Sequence, residues 1–176
     1  MAAANYPSSL ALVWRPGFDN PADGYHVTPG DAGGGTLGGV IEATWSAAVA
    51  AGLVRGKLAD ATRDQLSIVL RAKFWGSACD ALPSGLDLML FNGRMMSGGF
   101  PGIFQQCLGL VGDDVDDDFG RESLEAVTGR HAPTLIQALY GNHYAYLKRL
   151  SSWPEFKGGW TKRLEAVLPA ALALAA

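Results

Sequence analysis

The sequence predicts a mainly α-helical domain interrupted by one long, glycine-rich loop near its N-terminus. Three observations carry this. Beyond residue 40, apolar residues recur at the i, i+3, i+4 spacing of buried helix faces. No run of alternating apolar and polar residues marks a strand, so the fold is all-α or a strongly helical α+β. Finally, glycine, proline and aspartate concentrate in residues 14–40, WRPGFDNPADGYHVTPGDAGGGTLGGV, with helical patterns on either side. Glycine at this density permits positive φ and close backbone approach, and a loop this long inside a compact domain is usually functional or disordered.

The elements follow in order. Residues 6–14 form a short helix with Ser8 or Ser9 as N-cap, apolar from Leu10 and stopped by Pro16 and Gly17. After the loop, the alanine-rich residues 40–51 predict a buried helix with Gly52 as its C-terminal stop and Glu42 on its first turn. Asp60 or Thr62 caps the next helix, whose inner face is Leu66, Val69, Leu70 and Phe74. Gly76 and Pro83 break the pattern, and Ser84 caps a helix with apolar positions at Leu86, Leu88, Met89, Leu90 and Met95. A turn at residues 97–101 leads to a short helix over 103–110. The run 112–120, GDDVDDDFG, is an acidic loop; its aspartates lack the alternating ligands and closing glutamate of a calcium-binding EF-hand. Helices over 121–128 and 133–150 follow, the latter with Leu135, Ile136, Leu139, Tyr146, Leu147 and Leu150 inward. An aromatic turn over 153–160, a helix over 161–168 and a frayed tail complete the chain.

At 48% hydrophobic residues the chain has ample material for a core, which excludes global disorder. A net charge of −3 gives no basic footprint for nucleic acid. Cys79 and Cys107 sit in apolar helical surroundings as buried thiols; a disulfide is open but not implied. Neither they nor His26, His131 and His143 have metal-ligand spacing, so no metal and no cofactor is expected. The N-terminus lacks the basic region of a secretion signal, and no stretch reaches roughly 18 uninterrupted apolar residues, so no membrane span is expected. Synthesis in the cytoplasm is expected, with any work at the wall depending on lysis or delivery within a particle.

Several pieces, in one order, resemble glycoside hydrolase family 108, lysozyme-like muramidases of phages and bacteria. Asp31-x-Gly33-Gly34-x-Thr36-x-x-Gly39-Val40 is similar to the family's aspartate–glycine–glycine–threonine signature. Phe74-Trp75 before Leu82-Pro83 resembles its aromatic pair, and Leu90-Phe91 with Ser97-Gly98 its next segment. Gln105 with Leu108-Gly109, the turn from Asp116 to Gly120, and Phe156-x-x-Gly159-Trp160-x-x-Arg163 resemble the remainder. The resemblance implies a lysozyme-like part over residues 1–90 and a helical, peptidoglycan-binding-type part over 91–176, packed as one unit. It also implies partners: peptidoglycan glycan strands or, in a phage-type particle, other phage structural proteins. The place of action is then the virion or the cell wall reached by phage lysis.

Glycoside hydrolysis needs a carboxylic acid to protonate the leaving oxygen, and a second carboxylate or a positioned water on the other face. In the family, the acid is the glutamate of a Glu-Gly-Gly motif ahead of the loop. The matching residues here are Arg15-Pro16-Gly17, and no glutamate precedes Glu42. Arginine keeps its proton to a pKa above ~12 and is no general acid. Asn92 and Met96 stand where the resemblance leads one to expect an aspartate and an asparagine. Asp31 is then the best candidate for a retained catalytic residue, with Thr36 to hold a water or sugar. The structural alternative for Asp31 is capping of the glycine turn. Asp19, His26, Trp75 and Asn92 are candidate substrate contacts, each with a loop or core role as the alternative. The expected function is a degenerate muramidase-like protein that binds glycan or serves in a phage-type particle; the alternative is an active peptidoglycan hydrolase using a displaced carboxylate.

Overall fold

The computed structural model describes residues 2–27 and 34–176 of the chain. Contacts divide it into two units, residues 10–76 and residues 1–9 with 77–176.

Helix α1 (Tyr6–Val13), of which the part from Leu10 onward belongs to the first unit, delivers the chain into the loop. The loop is bounded by three short antiparallel strands, β1 (His26–Val27), β2 (Gly35–Leu37) and β3 (Val40–Ile41), in the order β1-β2-β3. They lie within the expected glycine-rich stretch, and at two or three residues each they are too short to show alternation. Leu37 pairs with Val40, so Gly38 and Gly39 form the two-residue hairpin, both at positive φ (57° and 80°), as the twist of a tight hairpin requires. A side chain on Gly38 would also meet Pro21 Cγ at 2.9 Å and Leu66 Cδ1 at 3.1 Å. Helix α2 (Glu42–Ala50) buries Trp45 and Ala48. Thr62 starts α3 (Arg63–Leu70) with a reciprocal capping box: its Oγ1 accepts from Gln65 N, and Gln65 Oε1 accepts from Thr62 N. Leu66, Val69 and Leu70 are the buried face, as their spacing requires. A π-helical turn, Arg71–Trp75, ends at Gly76 with φ +61°.

In the second unit, α4 (Gly76–Ala81) fills a stretch expected to be broken; Gly76 itself belongs to the first unit by contacts. Helix α5 (Leu86–Met96) is the centre, buried from Leu86 to Gly93 and packed against α6 (Phe100–Cys107), α8 (Ala132–Leu147) and α9 (Trp153–Ala175). Its apolar residues belong in the interior, and its buried polar pair, Asp87 and Asn92, can follow them there because both are hydrogen-bonded within the protein. Its cap differs from expectation. Gly85 is the N-cap, and the buried Asp87 carboxylate accepts from Gly85 N (2.8 Å), Leu88 N (2.7 Å) and Asn5 Nδ2 (2.8 Å). Ser84 instead accepts from Asn5 Nδ2. Burial raises the Asp87 pKa against the pull of those bonds. Gly93 lets the Phe100 ring cross the helix where a Cβ would collide.

Helix α6 begins three residues earlier than expected, and α7 (Arg121–Val127) ends at the Gly129 turn. The acidic loop wraps the buried Gln105: its Nε2 donates to Asp116 Oδ1 (2.8 Å), Asp118 O and Ser123 Oγ, and its Oε1 accepts from the amides of Asp116 and Asp117. The last helix is the largest departure. Residues 153–175 form one helix, not an aromatic turn, a helix and a tail. Gly158 and Gly159 suggest a turn, but a helical glycine costs only about 1 kcal/mol. The buried Arg163, Leu164, Val167 and Ala171 supply the tertiary packing that overrides this. Among the described residues no helix is long and apolar enough to cross a membrane.

Candidate functional site

The loop folds back on α1 before it reaches the sheet. Asp19 N donates to Val13 O (3.2 Å), and Gly17 takes φ +83°. Asn20 Oδ1 accepts from Ala22 N and so caps a single turn, Pro21–Asp23. Trp14 Nε1 donates to Gly38 O at 3.0 Å, tying the end of α1 to the hairpin, and the Arg63 guanidinium lies 5.0 Å from a Trp14 ring centroid. Arg15, on this fold-back, is exposed with its guanidinium 4.5 Å from the centroid of the Phe18 ring. Among the described residues it makes no ion pair.

The sheet brings two of the expected site residues together. His26 on β1 lies directly opposite Thr36 on β2, and cross-strand partners share a face. His26 is exposed, with Nδ1 3.2 Å from Gly24 O, and Thr36 is half-buried. Asp31 lies outside the described residues. Asp19 is half-buried and has a side-chain or electrostatic partner within the protein. Trp75 is wholly buried, which corrects its expected role: a ring with 0% exposure offers no face to a sugar. Asn92 is likewise internal, at 1% exposure. Its Oδ1 accepts from Arg163 Nε at 2.7 Å, and its Nδ2 approaches Met96 Sδ at 3.4 Å, so it is a core hydrogen-bonding group and not an open sugar contact.

One feature of the loop escapes sequence reading. The Tyr25 phenol reaches across Gly35, where any Cβ would collide with the ring, and donates to Glu42 Oε1 at 2.9 Å. That bond to the carboxylate raises the phenol pKa. Both residues line an open groove of about 540 Å³ with Trp45, Ser46, Val49 and Lys57. The only sequence signal was a tyrosine and a bare glycine ten residues apart. Glu42 itself sits on the first turn of α2, where the helix dipole favours a carboxylate.

A second polar cluster pairs Ser97 Oγ with His143 Nε2 at 3.1 Å. It has a nucleophile and a base in reach, yet the chemistry is incomplete. His143 is fully buried, its Nδ1 has no hydrogen-bond partner among the described residues, and Phe100 covers the ring at a centroid distance of 4.6 Å. A working base needs a group that orients it. Burial, and secondarily the Arg163 charge, pull the His143 pKa down to about 4. Among the described residues no group of three or more His, Cys, Asp or Glu is placed to hold a metal ion.

No curated protein matches the chain. The structure is similar to that titled "Structure of Brucella abortus SagA", with a TM-score of 0.79 and 27% identity, over 98% of this chain and 94% of that one. Residues 23–98 match the family model described as Glycosyl hydrolase 108. The matched span begins after Arg15-Pro16-Gly17 and contains β1 to β3 and most of the helices up to α5. The chain is thus a mainly α, lysozyme-like fold whose residues 23–98 are similar to the glycosyl hydrolase 108 model.

Proposed function

We propose that this protein is a degenerate muramidase-like protein of phage or bacterial origin. It keeps the peptidoglycan hydrolase fold to bind glycan, or to serve as an accessory part of a phage-type particle, with residues 91–176 as the peptidoglycan-binding-type part. The observation that carries the reading is Arg15. It occupies the position that the resemblance gives to the acid, is exposed, and stacks on Phe18. A guanidinium transfers no proton at neutral pH, and it holds any nearby carboxylate ionised. His26 and Thr36 remain paired on one sheet face as groups able to contact a sugar or a water.

The alternative is an active hydrolase with a displaced carboxylate. Asp31 is its best candidate, and Glu42 draws attention because it lines an open groove. Glu42, however, accepts a hydrogen bond from the Tyr25 phenol, the arrangement of a base and not of a carboxylic acid about to give up a proton.

Purified protein should leave a suspension of cell walls turbid and sediment with insoluble peptidoglycan. Clearing that Asp31→Asn abolishes would establish the hydrolase instead. Arg15→Glu is the stronger trial: gain of clearing activity shows that only the acid is missing. Free passage of the wild-type protein past peptidoglycan would leave the particle role.

A further inference from the structure

We propose that Met95 is a modification site. A hydroperoxide converts its thioether to a sulfoxide, and the buried Arg163 guanidinium then holds the new oxygen, fastening the end of α5 to α9.

The chain has four methionines. Met89, in the middle of α5, is 2% exposed, whereas Met95 and Met96 at its end are half-buried and reach solvent. Oxidation of sulfur follows exposure, so a peroxide meets this pair before Met89. Both thioethers accept hydrogen bonds from one buried polar unit. Within it, Arg163 Nε donates to Asn92 Oδ1 at 2.7 Å. Arg163 Nη2 donates to Met95 Sδ at 3.8 Å, and Asn92 Nδ2 donates to Met96 Sδ at 3.4 Å. Arg163 is 7% exposed and Asn92 1%, and Arg163 makes further interactions within the protein. A thioether is a weak acceptor, and a buried guanidinium gains from a stronger one.

The peroxide is the oxidant. A sulfur lone pair attacks one peroxide oxygen, and the S–O bond forms as the O–O bond breaks. Sulfur gives up two electrons and the peroxide takes them. The departing oxygen removes the proton from the transferred one and leaves as water or an alcohol. The product is neutral, so no charge is buried, and its oxygen is a strong acceptor one bond beyond the sulfur. An oxygen placed there, with a bent hydrogen bond of about 2.8 Å, spans about 3.8 Å from sulfur to nitrogen. That is the separation already present between Met95 and Arg163. Rotation about the unbranched side chain brings either sulfur lone pair, hence either epimer, to face the guanidinium. Met96 is the contrast. Its sulfur stands too close to Asn92 Nδ2 to admit the oxygen, so a sulfoxide there pushes the side chain away. Among the described residues Met96 Sδ is the one partner of that Nδ2, and a buried donor left without a partner is costly.

The test treats the folded full chain with hydrogen peroxide, locates the added oxygen by peptide mass spectrometry and follows thermal unfolding by circular dichroism. Met95 and Met96 should gain oxygen about tenfold faster than Met89, or more. Met96→Leu leaves Met95 as the accessible sulfur of α5, and its oxidised form should melt about 2–4 °C above its untreated form. Such a rise is diagnostic, because a polar oxygen added to packed methionine ordinarily disrupts. Met95→Leu leaves Met96, and its oxidised form should melt below its untreated form. Met1 is common to both variants and cancels between them. Leucine nearly matches methionine in volume, so both variants should keep their helix content, and the rate comparison in the wild type needs no substitution. Reduction by methionine sulfoxide reductases should return both melting points to their starting values. An unchanged or lower Tm after oxidation of Met96→Leu overturns the proposal. So does oxidation of Met89 as fast as Met95, which would mean that peroxide reacts with the unfolded chain.

Discussion

The tryptophans of residues 10–76 and those of the α8–α9 corner have the same chemistry and opposite uses. Trp14 and Trp45 are 7% and 2% exposed, and each indole N–H is fixed to a backbone carbonyl, Gly38 O at 3.0 Å and Gly56 O at 2.9 Å. They pin loops to helices. Trp153 and Trp160 are half-buried, touch other rings, and donate to nothing among the described residues. An indole with buried faces and a bonded N–H has given both of its properties to the fold. One that keeps a face and its N–H still has them to offer to a ligand. Aromatic content alone does not separate the two; the state of the N–H does.

The difference is most easily broken by truncation. Trp45→Ala removes a buried ring and strands the Gly56 carbonyl, and should destabilise the protein by about 3–5 kcal/mol in urea unfolding followed by circular dichroism. Trp160→Ala should be much milder, about 1–2 kcal/mol, because its ring is already partly in water. Equal losses would mean that the corner is as much a structural core as the loop.

The next largest effect tests the buried stripe of α8. His143 is neutral because burial, and then Arg163, disfavour its charge. In the unfolded chain it takes a proton near pH 6.5, but in the folded chain only near 4. Between those values the unfolded state holds more protons, so stability is complete above about 6.5 and falls as the pH drops towards 4. The loss attributable to His143 is on the order of 3 kcal/mol at full extent. Asp87, with its raised pKa, acts in the opposite direction as its carboxyl protonates. His143→Gln retains a polar group for Ser97 and should flatten the decline between pH 6.5 and 4.5. A decline of unchanged steepness would exclude His143 as its source.

How much of this was legible in the sequence differs along the chain. The buried face of α3 followed from apolar spacing alone, because a solvent boundary imposes the helical period. Thr62 was also legible, since a capping side chain acts within three residues of itself. The 153–175 helix was not. Its glycines suggested a turn, and only packing of Arg163, Leu164, Val167 and Ala171 offsets their weak propensity. Strands β1 to β3 were too short to display a period. In the candidate site, Arg15 was legible as a departure from the family resemblance, whereas the Gly38-Gly39 hairpin was not read within the glycine-rich loop. The Tyr25–Glu42 bond crosses 17 residues and depends on Gly35 making room for the ring, which no local pattern encodes. Trp75 and Asn92 have chemistry suited to a sugar site, and only burial moves them to the interior.

Four smaller substitutions sharpen the contrast between groups committed to the fold and groups left at the surface. Gly38→Ala places a Cβ at φ +57° and 2.9 Å from Pro21 Cγ, and should lower stability by roughly 1–3 kcal/mol. Gly52→Ala has a similar φ of +74° with open space around it, so it measures the conformational part alone, about 1 kcal/mol. The excess at Gly38 then reports the packing that also presents its carbonyl to Trp14. Thr62→Ala removes one half of the capping box and should lower stability by about 1 kcal/mol. Arg121→Ala breaks an ion pair whose side chains are 80% and 64% exposed, and should stay within about 0.5 kcal/mol of the wild type. If Arg121→Ala proves as damaging as Thr62→Ala, exposed charge contributes more to this fold than bonds made to its backbone.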